Sequence, residues 1–259
     1  MKKILDTVVL IALAALPLMG CSAKFGLRHF AGPVLPKTEQ AGENISVGDD
    51  RSVTFKRGRL ELNLRPLTDE ILNRQLASYD PDAEGFYQNP YEGSVNPYTY
   101  GGWNPPEQEW ETQRFTVFNL NVKNYEFPKV LVKPEDVTLV ADNGRKYPAL
   151  SFPAMNEYYL TYSWANAGNL YLNYEERKDI LTRTMFSPEN FVFSGQEATG
   201  YLVFPPLHHD VDSFEVQIAD VALRFDFRDA PIETVDISFR FERELYMAKR
   251  PKAVEQMSD

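Results

Sequence analysis

From Ser52 onward, apolar and polar residues alternate along much of the chain. Residues 59–65 set Leu60, Leu62 and Leu64 between polar neighbours, and Phe118, Leu120 and Val122 alternate with Asn119, Asn121 and Lys123. A period of two places each apolar set on one face, as in a half-buried strand. Val137–Ala141 and residues 146–150 flank Asp142-Asn143-Gly144-Arg145, where Asn143 and Gly144 can supply the positive φ angles of a tight hairpin. Four further strands are predicted: 200–204, one on Phe214, Val216 and Ile218, one on Leu223, Phe225 and Phe227, and one on Val235, Ile237, Phe239 and Phe241. Asp229-Ala230-Pro231 separates the last two and predicts a second hairpin.

Two short helices interrupt this pattern. Thr68 can cap a helix over 69–77, with Asp69 and Glu70 in its first turn and Leu67 and Leu72 as a hydrophobic staple. Tyr171, Tyr174, Lys178, Leu181 and Met185 share one helical stripe that Ser187-Pro188 ends; a helix over 175–185 is preferred, with 170–174 also readable as a strand. Many short strands in the block 52–245 predict an all-β fold, an antiparallel β-sandwich of two sheets. Residues 21–51, punctuated by Gly26, Gly32, Pro33, Pro36, Gly42 and Gly48, read as a flexible tether. A tether of this length has an end-to-end distance of roughly 30 Å. Residues 246–259 read as a C-terminal tail.

Composition narrows the function classes. The chain of 259 residues is 43% hydrophobic and 25% charged, too apolar and varied for a disordered or low-complexity protein. Its formal net charge of -10 argues against nucleic-acid and acidic-lipid partners. The single cysteine cannot form an internal disulfide or a zinc site of several thiolates.

That cysteine has a distinctive setting. Lys2 and Lys3 precede an apolar run of 13 residues from Thr7 to Met19, long enough for an export signal and short of a membrane span. The run ends in Leu18-Met19-Gly20-Cys21, which resembles the lipobox of bacterial lipoproteins. The resemblance implies a signal peptide over 1–20, cleavage before Cys21, and fatty acylation of Cys21 as a membrane anchor, since two or three acyl chains hold a protein stably. Ser22 in place of Asp implies the outer membrane if the host has two.

A second resemblance covers about 90 residues. Residues 118–124, the Asp142-Asn143-Gly144 hairpin leading to Tyr147-Pro148, and the string Ser194-Gly195-Gln196-Glu197-Ala198-Thr199-Gly200-Tyr201-Leu202-Val203-Phe204 together resemble bacterial extracellular immunoglobulin-like domains of unknown function. Ser194 stands where that family often has Pro. The likeness implies an immunoglobulin-like sandwich and no particular activity.

Residues 86–110 form a long Tyr/Pro-rich loop. Tyr91, Tyr98, Tyr100, Trp103 and Trp110 are its candidate partner-binding residues, because exposed Tyr and Trp stack on sugars or on protein surfaces. The same rings could instead pack the loop onto a sheet. Asp80-Pro81-Asp82-Ala83-Glu84-Gly85 matches the first half of a calcium loop, but Tyr91 stands at the twelfth position, where the bidentate acid belongs. His208 and His209 are adjacent; on a strand they would point to opposite faces and could share a metal only if the loop curls, and a solvated loop is the preferred reading. The chain has no G-x-S-x-G and no phosphate-binding glycine loop. The sequence thus predicts a lipid-anchored envelope protein, a non-enzymatic structural or interaction module without cofactor or metal. Its partners would be the membrane and an envelope protein or glycan. A glycan binder using loop 86–110 is the alternative, and an envelope hydrolase ranks below it.

Overall fold

A computed structural model describes residues 27–40, 42, 44–76, 95–100, 113–165, 171–187 and 191–249. Two five-stranded antiparallel sheets face each other. Among the strands of the first are β3 (Ile45–Val47), β4 (Val53–Arg57), β5 (Leu60–Leu67) and β6 (Thr116–Asn124), joined by β11 (Gln196–Phe204) in the order β11-β6-β5-β4-β3. The second contains β2 (Leu35–Pro36), β8 (Val137–Ala141), β9 (Lys146–Pro148), β12 (Ser213–Phe225) and β13 (Pro231–Glu242) in the order β2-β13-β12-β8-β9. Two ribbons flank them: β1 (Leu27–Ala31) with β14 (Leu245–Lys249), and β7 (Lys129–Val130) with β10 (Val192–Phe193).

The alternation read from the sequence builds the core. Leu60, Leu62, Leu64, Phe118, Leu120 and Val122 face inward from the first sheet and meet Leu139, Val216, Ile218, Phe239 and Phe241 from the second. Phe118 lies at the centre of this layer, its ring 5.0 Å from that of Phe241 and edge-on to Phe204 at 5.9 Å. The all-β antiparallel sandwich is therefore what the chain adopts.

A helical layer covers the outer face of the first sheet at one end. It holds α1 (Asp69–Gln75), α2 (Phe152–Ala165) and α3 (Tyr171–Thr184). Thr68 caps α1 as expected, accepting from the Ile71 N–H. α3 begins at Tyr171, so residues 171–174 are helix, and Tyr174, Arg177 and Leu181 are buried along one stripe. α2 has no counterpart in the sequence reading. Its buried positions, Met155, Tyr159 and Ser163, recur every four residues, a narrow stripe among aromatic and hydroxyl residues of poor helix propensity. These helices, with Leu67, Leu72, Tyr98, Phe115, Val117 and Val203, close a second core.

Three expectations need correction. The segment read as a tether holds β1, β2 and β3, and Leu27 lies six positions after Cys21. Strands of two to five residues are too short to display a period, and the glycines and prolines between them mark strand ends. The supposed tail begins inside β14, which pairs Leu245 with Ala31 and Lys249 with Leu27. Finally, the two strands expected over 214–227 are one strand, β12, bulged at Asp220, whose φ is 51°.

Candidate functional site

β12 and β13 form a long hairpin whose outer half extends beyond β8, which pairs with β12 only over residues 214–218. The turn is tightly held. The Asp226 carboxylate accepts the N–H groups of Arg228 and Ala230 at 2.8 and 2.9 Å, and the Asp226 N–H donates to the Ala230 carbonyl at 2.9 Å. Leu131 and Ala222 exchange two backbone hydrogen bonds of 3.0 Å, bracing the arm against the strand beside it.

This braced tip gathers exposed apolar residues. Phe227 at its apex is 88% exposed, Ile232 67% and Phe193 50%. Phe191 packs edge-on to Phe225 at 5.3 Å, and the Lys129 ammonium lies over both rings, at 4.3 and 4.7 Å from their centroids. Lys129 also pairs with Asp229. Glu233 receives Arg57 at 2.6 Å and Arg224 at 3.2 Å. The Arg228 guanidinium sits 5.0 Å from the Phe227 centroid and, among the described residues, has no carboxylate partner. At the base of the arm is a cleft of about 470 Å³, lined by Phe127, Pro128, Lys129, Leu223, Phe225 and Ile232. Fixed apolar surface beside a cation with no carboxylate partner among the described residues can bind a partner.

Sequence reading missed this surface because Phe191, Phe193, Phe227 and Ile232 come from two distant segments, and Phe227 and Ile232 look like ordinary strand positions. The signal available was Phe227 itself, large and apolar in the middle of the turn Asp226-Phe227-Arg228-Asp229.

Of the residues singled out from the sequence, the described ones lie elsewhere. Tyr98 is fully buried, edge-on to Tyr201 at 5.4 Å, and its hydroxyl reaches Thr184 Oγ1 at 2.5 Å; its face is part of the second core. Burial pushes its phenol well above the ordinary tyrosine range. Tyr100 is half-buried, 4.9 Å from the guanidinium of Arg114. Arg114 is itself buried against Tyr158 and Tyr159, and Arg177 lies 5.2 Å from the Tyr159 centroid. Residues 95–100 are thus packed down onto the helical layer. Cys21, Asp80, Asp82, Glu84, Tyr91, Trp103 and Trp110 lie outside the described residues.

His208 and His209 lie in an exposed loop, the preferred reading of them from the sequence. They occupy a loop that curls, which brings their rings to 4.0 Å. His208 Nδ1 lies 2.7 Å from Asp210, whose other oxygen accepts from Arg145 at 3.0 Å. Among the described residues no three metal-ligating side chains converge, and no helix is long and apolar enough to cross a membrane.

No family model matches the chain, and no solved structure matches it. It is similar to the Protein GrpE of Pseudomonas syringae pv. tomato and to that of Pseudomonas savastanoi pv. phaseolicola, 26% identical to each over 136 residues. Those residues are 52% of this chain, and the chain spans 65% of the length of these curated relatives. At that identity and coverage the likeness assigns no family.

Proposed function

We propose that the chain is a lipid-anchored protein of the bacterial cell envelope acting as a non-enzymatic interaction module, held to the membrane near its N-terminal ribbon and docking a partner through the aromatic arm tip. The observation that carries this reading is the placement of the two features. Pro231 opens β13 at the tip, and Glu242 ends it close to Leu245 and Ala31 of the ribbon. Twelve residues at about 3.3 Å each separate tip and ribbon by about 40 Å. A lipid on Cys21, six positions before Leu27, therefore holds the ribbon end near the bilayer and leaves the tip facing away from it.

The partner is a protein with an apolar recess rimmed by carboxylates. Phe227 and Ile232 supply a wedge to fill the recess, and Arg228, the tip cation without a described carboxylate, supplies the complementary charge. Ser22, at the position where the lipoprotein resemblance ties Asp to inner-membrane retention, supports an outer-membrane location. The anchor is tested by mass spectrometry of the full chain produced in a Gram-negative host. A mature N-terminal cysteine carrying a diacylglyceryl group and an acylated amine is expected. A free thiol at Cys21 with residues 1–20 still attached overturns the anchored reading.

A further inference from the structure

A cavity of about 220 Å³ opens at the ribbon end of the sandwich, the pole opposite the aromatic tip. It lies where the apolar layer between the sheets runs out. Alternate residues of a strand face the same side. β6 turns Phe118, Leu120 and Val122 into the core, so Thr116 is the next inward position. β5 turns in Leu60, Leu62 and Leu64, followed by Pro66, and β13 turns in Ile237, Phe239 and Phe241, followed by Arg243 just past the strand. All three end positions line the cavity. The apolar rows thus end in a hydroxyl on one sheet and a guanidinium on the other.

Both polar groups are buried, Thr116 being 2% and Arg243 5% exposed. Arg243 Nε donates to the Val211 carbonyl at 2.7 Å, and Nη2 donates to those of His208 at 2.6 Å and Leu207 at 3.4 Å. Its Nη1 has no hydrogen-bond partner, and no carboxylate pairs with the guanidinium, among the described residues. Burial lowers its pKa from the ordinary arginine value, against Tyr147, Asp210 and Asp212, which raise it. Asp69 also lines the cavity but has a partner of its own. The Thr116 hydroxyl has no hydrogen-bond partner among the described residues, a condition in which native interiors rarely leave a buried polar group. Pro33, Val34, Pro66 and Leu67 make much of the remaining wall apolar.

We propose that this cavity binds a small organic monocarboxylate, one oxygen facing the Arg243 guanidinium and the other accepting from the Thr116 hydroxyl, with the hydrocarbon part against the prolines and Val34. One uncompensated cation balances one negative charge, which favours a monoanion over a phosphate dianion. The apolar wall favours a carboxylate that carries hydrocarbon. The volume, below the roughly 300 Å³ at which drug-sized pockets begin, limits that hydrocarbon to a few carbons.

Isothermal titration calorimetry of the full chain in a non-ionic detergent, with hexanoate as the probe, tests the site. Saturable one-to-one binding is expected, with hexanol, hexylamine and inorganic phosphate giving none. Thr116→Val keeps the side-chain shape and removes the donor. It should weaken hexanoate binding about tenfold to a hundredfold, with a thermal midpoint at or above the parent's because the hydroxyl has no partner to lose. Ala31→Trp, at an exposed position on the cavity wall, should abolish binding and leave the midpoint unchanged. Arg243 is spared because it also holds the loop over 207–211. The absence of saturable hexanoate binding overturns the inference, as does hexanol or phosphate binding as tightly as hexanoate. Hexanoate affinity indifferent to Thr116→Val overturns it too, and so does a lowered midpoint of that variant, which would show a hydroxyl already bonded.

Discussion

Gly200 lies where β11 passes the end of α3, and a Cβ built there would stand 2.5 Å from the Phe186 Cα and 2.6 Å from its nitrogen. Both obstacles are backbone, and the Phe186 N–H is tied to the Tyr201 carbonyl at 3.0 Å, so neither can step aside cheaply. Gly200→Ala should cost at least about 3 kcal/mol, read from the urea midpoint of unfolding. Asn124 is fixed as firmly by hydrogen bonds: its buried amide donates to the carbonyls of Phe127 and Val192, both at 2.8 Å, and accepts from the Phe127 N–H at 2.9 Å. That glycine and that asparagine both stood in strings quoted for the immunoglobulin-like resemblance, and the structure gives each a physical task. Glu215 supplies the pH dependence. Partial burial raises its carboxyl, but Arg240 at 2.7 Å and the Ser238 hydroxyl at 2.8 Å outweigh burial and hold it below the ordinary value of 4.5. A depressed folded pKa stabilises above the unfolded value and is lost as the pH falls through the folded one. Glu215→Gln should therefore lower stability by about 1 kcal/mol at pH 7, a difference that closes in acid below pH 4.5, measured by denaturant titration across pH.

At the scale of elements, legibility followed the length of the pattern. β5 and β6 were readable because eight or nine residues with one face in the core write out several periods. β2 and β3 were not, because two or three residues write out none. α2 was lost because its buried stripe is one residue wide, and the aromatic pole because it joins a turn to a strand far away in sequence. The Asn143-Gly144 hairpin was found, with its turn slightly misread. Only Gly144 has positive φ, at 84°, and the Gly144 N–H closes a turn on Ala141 at 2.8 Å while the Ala141 N–H donates to Arg145. Nothing lies within 4 Å of a Cβ at Gly144, so the cost of a side chain there is conformational alone. Gly144→Ala should cost about 1 kcal/mol, several times less than Gly200→Ala, and the ratio of the two shifts in thermal midpoint separates backbone strain from collision.

On the scale of the whole molecule, the sandwich acts as a rod between two poles. Its middle is an apolar core, and strand pairs crossing its length fix the tip relative to the ribbon. The turn at the tip is closed by Asp226 and braced at Leu131, so the backbone that presents Phe227 is already ordered, which lowers the cost of the docking proposed for it. An 88% exposed phenylalanine contributes almost nothing to folding, so Phe227→Asp should change stability by no more than about 0.5 kcal/mol, read from thermal unfolding. Docking should respond very differently. A photo-reactive phenylalanine analogue introduced at position 227 in intact envelopes is expected to give one defined adduct, and the same analogue at Tyr246 in the ribbon, itself 54% exposed, should not give it. The decisive comparison places the analogue at Ile232, beside the apex. Phe227→Asp and Arg228→Glu should each abolish that adduct, the first by removing the wedge and the second by reversing the cation. Adducts of equal yield at positions 227 and 246, or an Ile232 adduct indifferent to both substitutions, would mean that the tip docks nothing and that its apolar surface has no binding role.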